Sequence, residues 1–207
     1  MSGRTAAGRR ESYGERGLSP IDRLGVALSV RAVRRAAPLS PPPRVLDLGC
    51  GHDATLLRAL SPRIASGVGV DLRVSAPAKE VPGLSFLEAT IEEALPEVGD
   101  ASVDLVLLIS VLEHLADAPW ALAECRRVLA PGGVLMVNVP TWAGKTFLEL
   151  SAFRLGLSPA CEMDDHRMYY GRRDLWPLLV RAGFRPSRIR IAYHKLGLNL
   201  FARAVNG

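Results

Sequence analysis

Residues Arg44 to Gly51 read RVLDLGCG and decide the fold of the chain. The apolar run VLDL is typical of a buried parallel strand. Gly49 and Gly51 then allow the backbone to turn sharply where side chains would clash. Helical spacing follows over Ala54 to Leu60, so the turn leads to a helix N-terminus with free N–H groups. The stretch therefore predicts a strand, a glycine turn and a helix that together cradle a cofactor.

An acidic residue stands where a nucleoside-binding sheet needs one. A second apolar strand, Ile64 to Val70, is followed by Asp71, 22 positions after Gly49. Rossmann-type units place a carboxylate about 20 residues beyond the glycine turn, where it accepts hydrogen bonds from ribose hydroxyls. An acid at a strand end also caps turns, but directly after VGV the ribose role is favoured. Asp71 is therefore predicted to hold a ribose.

Further apolar strands alternate with helical stretches up to residue 140. The strands are predicted at Leu84–Leu87, Val103–Ile109 and Val134–Val139, with a helix at Asp117–Leu129 between the last two. Strands that alternate with helices in this way indicate a parallel sheet covered on both faces.

The C-terminal part has a different pattern. A helix at Gly171–Ala182 precedes two extended segments, Arg185–Tyr193 and Leu198–Val205, with no helix between them. Such a pair is predicted to be antiparallel. The predicted fold class is α/β, with a Rossmann-like doubly wound sheet of seven strands that is mostly parallel and has an antiparallel last strand.

The N-terminal residues are rich in Gly, Ser and Arg, and too polar to offset the entropy of ordering. Ser19 and Pro20 then form a helix start signal, and apolar residues recur at helical intervals up to Ala37. The predicted division is a disordered basic tail at 1–18, a helix and proline-rich linker at 19–43, and one domain at 44–207 with an insertion at about 141–170.

Composition narrows the function classes. The net charge is +5, and after His166 the charged residues are basic except for Asp174, so the C-terminal face suits anions or is simply solvated. Three cysteines without CxxC spacing predict reduced thiols and no zinc cluster. The sequence has no apolar run of about 20 residues, so we expect a soluble, cytoplasmic protein without a membrane span. A peripheral membrane contact through the arginines of the first helix stays open.

Four ordered motifs together resemble the class I S-adenosylmethionine-dependent methyltransferases. VLDLGCG is similar to the first motif of that family, and GVDLR to the second. VDLVLLISVLEHL and ECRRVLAPGGVLMVNVP resemble the strands and helix that follow. The match covers residues 44–140 well, and the terminal pair of strands resembles the sixth and seventh strands of the family.

The resemblance implies S-adenosyl-L-methionine as the cofactor and assigns its contacts. Asp47, Gly49, Cys50 and Gly51 would line the methionine end, and Asp71 would hold the ribose. The residues implied beside the adenine and beneath the sulfonium are Leu72, Thr90, Ile91 and Ser110. Where Thr90 stands the family often has an acid, so either the Ile91 backbone N–H or Glu92 would read the adenine edge.

Two histidines are candidate catalytic bases. His114 follows the fourth predicted strand, and His166 lies in DDHRMYY, which crowds acid, base and aromatic groups into seven residues. A positioned histidine takes the proton of an oxygen nucleophile. Alternatively, Asp165 and His166 brace the loop in which they lie. A metal site at Asp164, Asp165 and His166 is disfavoured, because adjacent carboxylates cannot easily chelate from a regular element.

These expectations define one function and two alternatives. The first is methyl transfer to a small-molecule, glycan or lipid-linked acceptor, most simply on oxygen. GCGHDA also satisfies the GxGxxA pattern of an NAD(P)-dependent oxidoreductase. The second alternative is a non-catalytic or RNA-binding methyltransferase-like protein. ISVLEHL replaces the run typical of enzymes that methylate nucleobase amines, which argues against that reaction on nucleic acid and leaves methylation of RNA on oxygen or carbon open. The oligomeric state is not indicated.

Overall fold

The computed structural model describes residues 11–15, 17–144 and 168–207, and within them seven strands form one sheet. In chain order they are β1 Arg44–Leu48, β2 Ser66–Asp71, β3 Leu84–Glu88, β4 Val103–Ile109, β5 Leu129–Pro140, β6 Ile189–His194 and β7 Asn199–Val205. The spatial order is β3-β2-β1-β4-β5-β7-β6. The first five strands pair in parallel, and β7 lies antiparallel between β5 and β6. The predicted fold class is confirmed.

Helices cover both faces of this sheet. They are α1 Pro20–Ala36, α2 Thr55–Leu60, α3 Ala76–Lys79, α4 Ile91–Ala94, α5 Ala118–Val128 and α6 Arg172–Arg181. The core on one face includes buried residues of α1, α2 and α3, and the core on the other includes buried residues of α4, α5 and α6. We call these the α1 face and the α5 face. No helix within the described ranges is both long and apolar enough to cross a bilayer.

Local signals account for the first helix. Ser19 caps α1: its Oγ accepts from the Asp22 N–H at 3.2 Å, while the Asp22 carboxylate accepts from the Ser19 N–H at 3.2 Å. This reciprocal capping box satisfies two N–H groups that a helix start otherwise leaves unpaired. The helix therefore begins at Pro20, as the sequence predicts, and its buried Val33 joins the core of the α1 face.

One strand is longer than predicted. β5 begins at Leu129 and includes the LAPGG run, whereas the prediction began at Val134. Gly132 has a φ of +80°, and its N–H donates to the Asn206 carbonyl at 2.6 Å. Residues 130–133 bulge out of the strand pairing, since Val103 pairs with Leu129 and Leu105 already pairs with Val134. The backbone bond to Asn206 holds this bulge, a long-range contact that short-range turn signals do not reveal.

Part of the predicted disordered tail packs on the domain. Ser12 is 4% exposed, and its Oγ accepts from the Arg73 N–H at 2.7 Å. The Tyr13 carbonyl accepts from the His52 N–H at 2.9 Å, and Glu15 forms a 2.9 Å ion pair with Arg73. We call residues 11–15 the strap. These polar contacts, made with residues far along the chain, place the strap on the domain although it buries little apolar surface.

We expect the double variant Ser12→Ala/Glu15→Ala to release the strap while leaving the domain folded. It removes the acceptor of the Arg73 N–H and the ion pair with Arg73, the two side-chain contacts that tie the strap to the domain. Limited proteolysis with N-terminal sequencing should show faster cleavage within the first 20 residues. Equal cleavage rates in the variant and the wild type would show that these contacts do not anchor the strap.

Candidate active site

The glycine turn lies between the carboxyl ends of β1, β2 and β4. Gly49 and Gly51 have φ angles of +69° and +77°, in the left-handed region that favours glycine. The Gly49 and Cys50 N–H groups both donate to the Val70 carbonyl, at 2.8 and 3.1 Å. A Cβ on Gly49 would collide with Val111, which follows β4. The turn is therefore held close to the ends of both neighbouring strands.

Asp71, at the end of β2, is hydrogen-bonded to the glycine turn. Its Oδ2 accepts from the Gly51 N–H at 2.7 Å, and its Oδ1 accepts from the Leu72 N–H at 2.8 Å. The side chain is half-buried at the end of β2. Each carboxylate oxygen accepts more than one hydrogen bond, so both retain capacity for a further donor. Asp71 is thus fixed beside the glycine turn with acceptor positions to offer to a ligand such as a ribose diol.

Asp47 is a buried carboxyl on β1, just before the turn. It is 2% exposed, and its Oδ2 has no hydrogen-bond partner. Burial, and then the charge of Asp71, raise the pKa of Asp47 to about 8. An unpaired buried carboxyl is costly, so its presence beside the glycine turn fits a site that receives a donor or a cation.

The carboxyl end of β4 contributes the other wall. Ser110 has a φ of +59°, is exposed, and donates its N–H to the Asn138 carbonyl of β5 at 2.8 Å. A short 3-10 turn, Leu112–His114, follows. Within that turn Glu113 is 2% exposed and His114 is half-buried. Polar groups from β1, β2 and β4 therefore meet at one edge of the sheet, where open α/β folds bind ligands.

Comparison with known proteins identifies the family. Residues 24–187 match the model of the methyltransferase domain family. A probable S-adenosylmethionine-dependent methyltransferase of Mycolicibacterium smegmatis is 31% identical over 172 residues, covering 74% of this chain and 56% of the relative. The chain belongs to the class I S-adenosylmethionine-dependent methyltransferases. S-adenosylmethionine is the cofactor that this membership implies.

A further relative agrees with this assignment, and a solved structure agrees with the fold. A ubiquinone biosynthesis O-methyltransferase of Paracidovorax citrulli is 32% identical over 113 residues, covering 51% of this chain and 47% of the relative. An S-adenosylmethionine-dependent methyltransferase structure from Archaeoglobus fulgidus aligns with a TM-score of 0.65 at 17% identity, covering 86% and 93% of the two chains. The chain spans about half the length of these curated relatives.

The predicted adenine contacts differ in what they do locally. Thr90 is the N-cap of α4: its Oγ1 accepts from the Glu93 N–H at 3.2 Å, and its own N–H donates to the Glu93 carboxylate at 3.0 Å. Ile91 is 8% exposed and belongs to the core of the α5 face. The Thr90 polar groups are therefore used in capping, and its place beside an adenine remains a prediction, as do those of Ile91 and Leu72.

The two candidate bases, His114 and His166, differ in whether the structure describes them. His114 lies in the 3-10 turn Leu112–His114 that follows β4, whereas His166 lies outside the described residues, as do Asp164, Asp165 and most of the predicted insertion. Tyr170, which follows in the same motif, is 2% exposed, and its hydroxyl donates to the Leu112 carbonyl at 3.4 Å. Burial, followed by Glu113 and Asp174, raises the pKa of Tyr170 to about 12, so the phenol stays neutral beside the carboxyl end of β4.

The structure adds two features that the sequence reading missed. Asn138 interrupts the apolar run VLMVNV of β5 and is fully buried. A polar residue within an apolar strand was the sign in the sequence that could have singled it out. The strap contacts the glycine turn through the backbone carbonyl of Tyr13. Every residue has such a carbonyl, so the residue type gives no sign of this contact.

Among the described residues, no group of three or more His, Cys, Asp or Glu side chains is arranged to hold a metal.

Proposed function

We propose that this protein transfers the methyl group of S-adenosylmethionine to an oxygen atom of a small-molecule, glycan or lipid-linked acceptor. The observation that carries the proposal is the placement of Asp47, the glycine turn and Asp71 at one edge of the sheet. In an open α/β sheet this edge is where a nucleoside cofactor binds. The family membership then makes that nucleoside a sulfonium methyl donor.

Each residue of the turn has a definite task in this proposal. Gly49 and Gly51, which carry no side chain and have positive φ angles, would let the backbone approach the methionine end closely. Asp47 would face its cationic ammonium group, and Asp71 would accept hydrogen bonds from the ribose hydroxyls. When bound, the cofactor supplies an electrophilic methyl group. Much of the rate then comes from holding the nucleophile in line with that methyl group.

The choice of oxygen rests on a relative and on the groups beside β4. The relative from Paracidovorax citrulli is named as an O-methyltransferase of ubiquinone biosynthesis. An oxygen nucleophile with a high pKa benefits from a base, and we propose His114 and His166 as the two candidates for it. His114 lies two residues after Leu112, whose carbonyl accepts from the Tyr170 hydroxyl.

Methyl transfer tests the function directly. The purified protein is incubated with S-adenosylmethionine labelled in its methyl group and with panels of phenols, glycans and lipid-linked sugars. We expect label in an ether or ester product of one panel. Binding of S-adenosylhomocysteine but not of NADH, measured by calorimetry, separates this function from the oxidoreductase alternative. Tight NADH binding without S-adenosylhomocysteine binding would contradict the proposal.

The raised pKa of Asp47 gives a prediction on proton linkage. At pH 7 the buried carboxyl is mostly protonated, and an ammonium group bound against it favours the ionised form. Binding of S-adenosylhomocysteine should therefore release about 0.5–1 proton. The measurement is calorimetry at pH 7 in two buffers with different ionisation enthalpies. The variant Asp47→Asn should bind more weakly and release none, and equal release by both proteins would contradict the assignment.

The same pKa fixes the sign of a stability effect. Because the folded-state pKa lies above the ordinary value of 3.8, the folded protein retains a proton that the unfolded chain loses. The contribution of Asp47 to the free energy of unfolding is complete below about pH 4 and is lost as the pH rises through about 8. The melting temperature of the wild type relative to Asp47→Asn should fall over that range.

A further inference from the structure

Several side chains near the carboxyl edge of the sheet have a buried polar atom without a hydrogen-bond partner. Three of them, among the described residues, lie on strands: Asp47 through Oδ2, Asn138 through both amide atoms, and the half-buried His194 through Nε2. Asp47 is on β1, Asn138 on β5 and His194 on β6. A buried polar group without a partner is destabilising, and native proteins retain few of them without a function.

Asn138 is the most unusual of the three. It has no exposed surface, and neither its Oδ1 nor its Nδ2 makes a hydrogen bond. Its strand neighbour Met136, two residues earlier, packs in the core of the α1 face, so the alternation of a strand places the Asn138 side chain on that same face. Its backbone carbonyl accepts from the Ser110 N–H at 2.8 Å. The amide thus lies beside the end of β4.

His194 stands on the same face two strands away. Its ring meets the Phe201 ring edge-on, with centroids 5.8 Å apart, and Phe201 is the direct cross-strand neighbour of Asn138. Phe201 therefore lies between the two polar groups. Since adjacent strands are about 4.8 Å apart, β5 and β6 are separated by about 10 Å, a span that suits one substituted aromatic ring.

We propose that Asn138 and His194 bind the methyl acceptor, a neutral hydroxylated ring compound whose apolar body lies on Phe201. An amide offers one acceptor and two donors, which a hydroxyl group satisfies in both directions. A carboxylate only accepts, and it would leave the Asn138 oxygen unpaired. A second polar group of the compound reaches Nε2 of His194. The inference rests on the proposed function and specifies its acceptor.

The positions of Asp47 and Asn138 also place the acceptor next to the cofactor along the edge of the sheet. Asp47 lies on β1, on the cofactor side, and β4 separates it from Asn138 on β5. An acceptor hydroxyl on Asn138 therefore lies next to the edge that holds the methionine end of the cofactor. Because Asn138 has no exposed surface, the side chains packed over it must move for the acceptor to enter.

The decisive variant is Asn138→Leu, because leucine has the shape of asparagine without its polar atoms. Removing two unpaired polar atoms should raise the melting temperature by about 2–6 °C. If the Asn138 amide served only to stabilise the fold, the substitution would lower the melting temperature instead. Affinity for S-adenosylhomocysteine should be unchanged in calorimetry, whereas binding of catechol to the S-adenosylhomocysteine complex, measured by ligand-observed NMR, should weaken about ten- to a hundredfold.

Two companion variants complete the test. His194→Phe keeps a ring against Phe201 but removes Nε2, and we expect it to weaken catechol binding about tenfold. Met136→Leu changes a buried side chain on the same face of β5 and should match the wild type. A lower melting temperature of Asn138→Leu, or catechol binding that is absent or indifferent to both variants, would overturn the inference. Asn138-dependent catechol binding without methyl transfer would instead uphold this site and contradict the proposed function.

Discussion

Substituting Asp71 by alanine should weaken binding of S-adenosylhomocysteine about a hundredfold, one of the two largest effects that we expect. Two ribose hydroxyls would lose charge-assisted hydrogen bonds to one carboxylate. The Gly51 and Leu72 N–H groups would also lose their acceptor, which loosens the turn itself. The measurement is the dissociation constant from titration calorimetry.

Two controls separate this effect from a general change in charge or folding. Asp53→Ala removes the same charge from an exposed side chain in the same loop and should leave the dissociation constant within about twofold. Asp71→Asn retains one acceptor oxygen and should be intermediate. Binding by Asp71→Ala at wild-type affinity would contradict the ribose assignment, provided that its circular dichroism spectrum is that of the folded protein.

The second large effect concerns the space occupied by the glycine turn. Gly49→Ala should lower the free energy of unfolding by about 2–5 kcal/mol, because its φ of +69° disfavours a side chain and its Cβ would collide with Val111. The displaced turn should also lose affinity for S-adenosylhomocysteine. Chemical denaturation and calorimetry measure the two losses.

A matched glycine isolates the steric part of that loss. Gly83 has a φ of +78°, but a Cβ there would meet nothing within 4 Å, so Gly83→Ala should cost only about 1–2 kcal/mol. The double variant Gly49→Ala/Val111→Ala should recover part of the loss, as a favourable coupling in a double-mutant cycle. Equal losses at Gly49 and Gly83, with no coupling, would show that the close approach of Val111 is unimportant.

The sequence predicts the sheet well because its signals are local. The apolar runs, glycines and helix caps that mark the strands and helices act within a few residues, and the capping box at Ser19 illustrates this. The position of Asp71 beside the turn was also predictable, since strand and helix lengths fix the spacing of a βαβ unit. The bond from the Gly51 N–H to Asp71 confirms that proximity.

Contacts between distant parts of the chain were not predictable in the same way. The strap is held by Arg73, 61 residues after Ser12, and by a backbone carbonyl that any residue supplies. Asn138 and His194 come together only because β7 is inserted between β5 and β6. Burial without a partner is a property of the folded molecule, so composition and periodicity do not reveal it.

A crystal structure of the protein with S-adenosylhomocysteine tests the central claim most directly. The account predicts the ribose hydroxyls within hydrogen-bond distance of the Asp71 carboxylate and the amino-acid end of the ligand against the glycine turn, with its ammonium group facing Asp47. A nucleoside bound elsewhere, or an Asp71 side chain turned away from the ribose, would contradict it.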